Sequence, residues 1–155
     1  MVKEADHIFF AKVSELKKTE LHHGMLLKTP VILSVVEVYK GDAKGEFTFY
    51  RDGGRAETYI ERSSTFELSP GMEAIFFINK AGNGFGSSTT WPIADKMLVV
   101  NWDSSKMLGE HNIKLTEKDL TGYTIAKLLD TPEEFNTCNL EDFTALIKSL
   151  VKQTS

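Results

Sequence analysis

Four histidines are the first residues to test for chemistry, because imidazole is a common metal ligand and titrates near neutrality. They are His7, His22, His23 and His111. No two stand at i, i+4 or in a His-x-His spacing, and the neighbours His22 and His23 would point apart on a strand. They read as solvated side chains, and no metal is expected. Gly82-x-Gly84-x-Gly86 has the spacing of a loop whose backbone donors cradle a phosphate. A dinucleotide site would require a helix next, and Ser87-Ser88-Thr89-Thr90-Trp91-Pro92 starts none. The glycines therefore read as a connection between strands.

Cys138 is the only cysteine, which excludes an intramolecular disulfide and any cysteine-rich zinc site. It stands just ahead of an expected helix, whose N-terminal dipole would favour a thiolate. No His, Lys or Arg lies close by in sequence to reinforce that, so a packing role is expected. Glu57, Tyr59 and Glu61 would share one face of a short strand, as a soluble edge strand requires. There is no Gly-x-Ser-x-Gly elbow, no Gly-Lys-Ser/Thr loop and no His-Glu-x-x-His helix. The residues assemble no catalytic constellation, and the expectation is a non-enzymatic chain without a cofactor.

The elements that must position these residues are mostly strands. Residues 7–15 are rich in β-branched and aromatic side chains over a strand-length run, and 31–39 more so, with Pro30 at the edge where a lost donor is tolerated. Residues 16–29 are polar and read as a loop or frayed hairpin. Lys40-Gly41-Asp42 supplies turn chemistry. Glu46–Arg51 is a third strand, with Phe47 and Phe49 on one face and Thr48 and Tyr50 on the other. A short strand at 56–61 follows the turn signal Asp52-Gly53-Gly54. At 72–79, Met72, Ala74, Phe76 and Ile78 share a face, and 96–102 is a continuous apolar strand. Residues 103–138 carry the weakest periodicity: Ile113 and Leu115 could end a strand, and 120–129 fits a short helix or a strand. After Asn139, a good N-cap, Leu140, Phe143, Leu146, Ile147, Leu150 and Val151 recur at helical spacing and predict a helix over about 140–152. Five to six strands and a terminal helix favour a small β-barrel.

The chain has 155 residues, 41% hydrophobic and 26% charged. That is the size and balance of a single globular domain, here 1–155, with enough core to fold without staples. Its net charge of −4 disfavours nucleic acid as a partner. Apolar runs such as Ala74–Ile78 fall far short of the ~18–20 residues of a membrane span.

Several segments resemble a known group. Ala5-Asp6-His7-Ile8-Phe9-Phe10-Ala11-Lys12-Val13, then Val35-Val36-Glu37-Val38-Tyr39-Lys40-Gly41-Asp42, the pair Gly53-Gly54, and Phe66-Glu67-Leu68-Ser69-Pro70-Gly71-Met72-Glu73-Ala74-Ile75-Phe76-Phe77-Ile78 follow one another. The succession is similar to exported bacterial domains of uncharacterised function with an OB-like barrel, related in shape to the netrin-like module and to tissue inhibitors of metalloproteinases. It covers roughly residues 5–80. The resemblance implies a mainly β chain forming a small closed or partly open OB-like β-barrel, and an extracytoplasmic address in the envelope or outside the cell. Met1–Asp6 has no apolar h-region, so export expects a leader that these residues do not include. The metalloproteinase inhibitors chelate zinc through an N-terminal cysteine, and with no cysteine before Cys138 that activity does not carry over.

In OB barrels the face of the second and third strands binds oligonucleotides by stacking and a basic groove. Here that region holds Lys40, Lys44, Phe49, Arg51 and Arg55, the candidate binding face, although which of its two aromatic sets points inward is left open by the sequence. The leading expectation is an exported interaction module with a protein or surface partner, its loop at 16–29 being the preferred contact. An intracellular OB-type domain for single-stranded nucleic acid is the second reading.

Overall fold

The computed structural model describes residues 2–154 except 23, 25, 57–58, 62–66, 86–88, 101–104 and 130, with backbone alone at 54–56, 59–61, 105–107 and 154. The strands are β1 (His7–Leu16), β2 (Glu20–His22), β3 (Leu26–Lys40), β4 (Glu46–Asp52), β5 (Gly54–Ala56), β6 (Tyr59–Glu61), β7 (Glu73–Ile78), β8 (Thr90–Ala94), β9 (Met97–Val100), β10 (Thr116–Lys118) and β11 (Phe135–Asn139). The helices are α1 (Ser105–Glu110), a 3-10 turn at Thr124–Leu128, and α2 (Leu140–Thr154). The strand pairs are antiparallel and run in the order β10-β11-β9-β8-β7-β1-β3-β2, with β4 also on β3 and β5–β6 a separate hairpin.

The mainly β class and the C-terminal helix match the expectation. The strand count is corrected: eleven strands lie among the described residues against five to six expected, and no pairing among them closes the sheet. Residues 16–29 hold β2 and the start of β3, so the frayed hairpin is a paired one, with Glu20 opposite Lys28 and His22 opposite Leu26. β8 was hidden by Pro92, a residue that removes a ladder donor. It is tolerated because Pro92 pairs only toward β7, while β9 joins β8 from Ile93 onward. The β8–β9 turn places both Asp95 (φ 49) and Lys96 (φ 63) in the left-handed region, as a two-residue hairpin with strand-matching twist requires.

Alternation along the strands gives the sheet two buried faces. Phe9, Ala11, Val13, Val31, Leu33, Phe49, Ala74, Phe76 and Ile78 form one core. Ile8, Ile75, Phe77, Trp91, Leu98, Cys138, Phe143 and Ile147 form the other, beneath α2. Because both faces are covered, Glu73–Ile78 is apolar at every position after the first, where a half-solvated strand would alternate. Trp91 is the bridge to the helix, its ring centroid 5.0 Å from Phe143 and 6.0 Å from Phe77. Asn139 caps α2 as expected: its Oδ1 accepts the Asp142 N–H at 3.0 Å.

Candidate functional site on the outer face of β3 and β4

The five residues of the expected face lie in separate places. Phe49 is 1% exposed inside the first core. Arg51 is 6% exposed and pairs with Glu67 at 3.4 Å. Both follow from the pleat, since Phe47, Phe49 and Arg51 project to the same side of β4 and that side is the interior. Lys40 donates to the Val2 carbonyl at 2.8 Å and ties the end of β3 to the N-terminal segment. Lys44 is exposed on the β3–β4 connection. Arg55 falls on β5, and its side chain lies outside the described residues. An aromatic buried in a core cannot stack on a base, so Phe49 with Arg51 forms no nucleic-acid platform.

The opposite side of the same strands presents a connected polar and aromatic surface. Thr48, Tyr50 and Asp52 alternate outward, and the register sets Tyr50 across from Pro30 and Asp52 across from Lys28. Lys28 Nζ donates to Asp52 Oδ1 at 2.7 Å and to Asn83 Oδ1 at 2.9 Å. Tyr50 carries the His22 ring, centroids 5.5 Å apart and tilted by 58°. His22 Nε2 lies 3.0 Å from Glu20 Oε1. The hairpin end beyond them exposes Leu21 (60%) and Leu26 (47%), which belong to opposite faces of the hairpin.

A turn after β7 borders this surface. Asn79 Oδ1 accepts the N–H groups of Ala81 and Asn83, each at 3.0 Å, and folds the segment back. The Tyr50 N–H then donates to the Gly82 carbonyl at 2.8 Å. Gly82 has φ +86, and a Cβ there would stand 3.3 Å from both the Thr48 carbonyl and the Tyr50 ring, so the turn approaches as closely as only glycine permits. The second glycine of the expected phosphate-type spacing, Gly84, packs its backbone on Thr89, whose hydroxyl accepts the Phe85 N–H at 2.5 Å. Gly86 lies outside the described residues. These glycines serve a turn and close packing.

The outer face pairs its cations with carboxylates. Lys28 is matched by Asp52, and His22, when protonated, by Glu20. Such a surface has hydrogen-bonding capacity and aromatic area without the positive field that condenses phosphates. His7 stands apart, mostly buried, with Nδ1 3.9 Å from Asp42 Oδ1. No three metal-ligating side chains gather among the described residues. Cys138 faces the core beneath α2, and burial first, then the Asp142 carboxylate, pushes its thiol up to about 12. That is opposite to what the helix dipole alone would do. The expected strand face at Glu57, Tyr59 and Glu61 falls where side chains are not described, and Glu57 and His23 lie outside the described residues altogether.

His22, Lys28, Asp52 and Asn83 were absent from the expected face. The alternation Glu20/His22 and Leu26/Lys28 about Gly24 was their signal, masked by a composition that reads as loop. No helix among the described residues is long and apolar enough to cross a membrane. No protein family, curated protein or solved structure matches the chain.

Proposed function

We propose that this chain is a non-enzymatic, exported interaction module that docks a protein partner on the β2–β3 hairpin and the outer face of β3 and β4. The observation that carries the reading is the hairpin end, where Leu26 is exposed on the face of the His22–Tyr50 ring pair and Leu21 is exposed on the other face of the same edge. Large exposed apolar side chains next to aromatic and hydrogen-bonding groups are the composition of a protein contact. An OB-like barrel is supported by the consecutive antiparallel strands β1, β3 and β4, by the return of β7 onto β1, and by the parallel bridge between Tyr50 and Asn83 that brings β4 toward the segment after β7. Export rests on the resemblance over residues 5–80.

The test replaces Leu21 and Leu26 by Ser in one variant and Tyr50 by Ala in another, and compares each with the parent for partners captured by cross-linking at the hairpin in the source cells. The expected result is loss of a specific cross-linked protein with the melting temperature of the Leu variant unchanged. Identical cross-links from parent and variants would sink the docking face. Recovery of the protein in the cytoplasm would remove the exported address. A single-strand titration should show no affinity that falls steeply with salt; a steep fall would reinstate the nucleic-acid reading.

A further inference from the structure

The sheet order ends at β2 on one side and at β10 on the other, so each has an edge that no described strand covers. At β2 the free backbone groups belong to Leu21. The Leu27 carbonyl turns toward the β4–β5 connection, where it accepts the Gly53 N–H at 2.9 Å. Leu27 therefore sends its backbone groups away from β2, and its partner Leu21 sits in a non-hydrogen-bonded pair of the hairpin. The N–H and C=O of Leu21 consequently point outward, beside a side chain that is 60% exposed. An open edge with an apolar side chain is a template for another strand, and most edges carry a device against it. Two other edges here do. Beyond Ser34, where β4 stops pairing, β3 shifts register against β1 between Phe10 and Ala11 and again between Ile8 and Phe9, which twists that edge away. β10, placed against its own copy about a two-fold axis at its middle residue, would set Glu117 on Glu117, a like-charge contact.

We propose that β2 pairs antiparallel with β2 of a second copy of this chain, the two-fold axis passing at Leu21. That axis sets Glu20 opposite His22 of the second copy and His22 opposite its Glu20, so the sequence Glu-Leu-His is its own complement. Each imidazole then donates to a carboxylate across the join, on the outer face. Leu21 meets its counterpart on the other face, beside the buried Leu27. The two Leu21 residues exchange both N–H to C=O hydrogen bonds, which joins the two sheets into one. The inference rests on the reading of the hairpin as a docking surface and names the occupant of its edge. Three residues a side bury little area, so the dimer is a transient one that concentration governs.

Sedimentation equilibrium of the full chain, from micromolar to millimolar concentration, should show a reversible monomer–dimer equilibrium. Glu20→Lys and His22→Glu should each weaken self-association roughly tenfold, because two cross-strand pairs turn from favourable to unfavourable. Mixing the two variants should restore the dimer, since each changed side chain then faces its complement. Leu21→Cys under mild oxidation should give a disulfide-linked dimer, and Glu117→Cys on the opposite edge should not, Cys138 being buried in both. The proposal is overturned by a monomer at every concentration, by variants that associate as the parent does, by a mixture no better than either variant, or by equal cross-linking at both cysteines. A monomer that still captures a different protein at the hairpin overturns this inference alone and leaves the docking surface in place.

Discussion

Cys138 shows how a single residue's chemistry is decided by what covers it. The same position, at the mouth of a helix, would be reactive if solvated. Packed under α2 with Ile147 and Phe143, the neutral thiol is favoured instead. The unfolded chain ionises near the ordinary value of 9.0 and the folded chain only near 12. This group's contribution to stability is therefore complete below about pH 9, declines as pH rises through 9 to 12, and is gone above that window. The decline is at most about 1.4 kcal/mol per pH unit, the limiting slope for one proton. Urea midpoints at pH 8.5 and 10.5 should accordingly fall further for the parent than for Cys138→Ala. Thiol labelling at pH 8 should be slow until denaturant is added. Tyr39 behaves in the same sense, its phenol held above the usual range by burial and then by Glu37.

At the scale of elements, α2 is where local signals and the fold agree most closely. Asn139 offers its side-chain oxygen to the Asp142 N–H, Glu141 and Asp142 sit in the first turn, and Lys152 in the last, each matching the helix dipole. Asn139→Ala should cost about 1 kcal/mol, read as a lower urea midpoint. Asn139→Asp should recover most of it, because an Asp side chain caps equally well. The helix is also tethered to β3 by Lys148, whose Nζ is 3.3 Å from Glu37 and lies over the Tyr39 ring at 5.8 Å. Both partners of that ion pair are exposed, so its share is small. β4 is the counterexample among elements. Its alternation was plain in the residues, with Phe47 and Phe49 against Thr48 and Tyr50, yet both sets are aromatic and carry a polar neighbour. Nothing local distinguishes the inward one.

At the scale of the whole molecule, one sheet lies between two cores, so each core depends on the other through shared strands. Ile8 and Phe9 are neighbours on β1 and belong to opposite cores, as Ile75 and Phe76 do on β7. Loss of packing on one face must therefore loosen the backbone that the other face needs. Phe143→Ala should cost about 3–5 kcal/mol by removing a ring that is fully buried against Trp91. Urea unfolding followed by Trp fluorescence and by far-UV circular dichroism should stay a single coincident transition, with a lower midpoint and an unchanged slope. Separate transitions for the two probes would show that the faces unfold independently.

The residues alone determined the strand-rich class, the C-terminal helix with its cap and stripe, the strand runs within β1 and β3, and one apolar face of β7. Each depends on periodicity or capping within a dozen residues. Tertiary structure decided what pairing across long separations controls. It made a hairpin of 16–29, because β3 extends back to Leu26 and offers Lys28 and Leu26 as partners for β2. It found β8 and β11, whose Pro92, Asn136 and Asn139 carry little strand propensity and are held by neighbours on both sides. It turned Phe49 and Arg51 inward and Tyr50 outward, a choice set by which side of β4 meets Phe9 and Phe76. A strand's own sequence defines two faces, but only the surface it packs against decides which one is left to meet a partner.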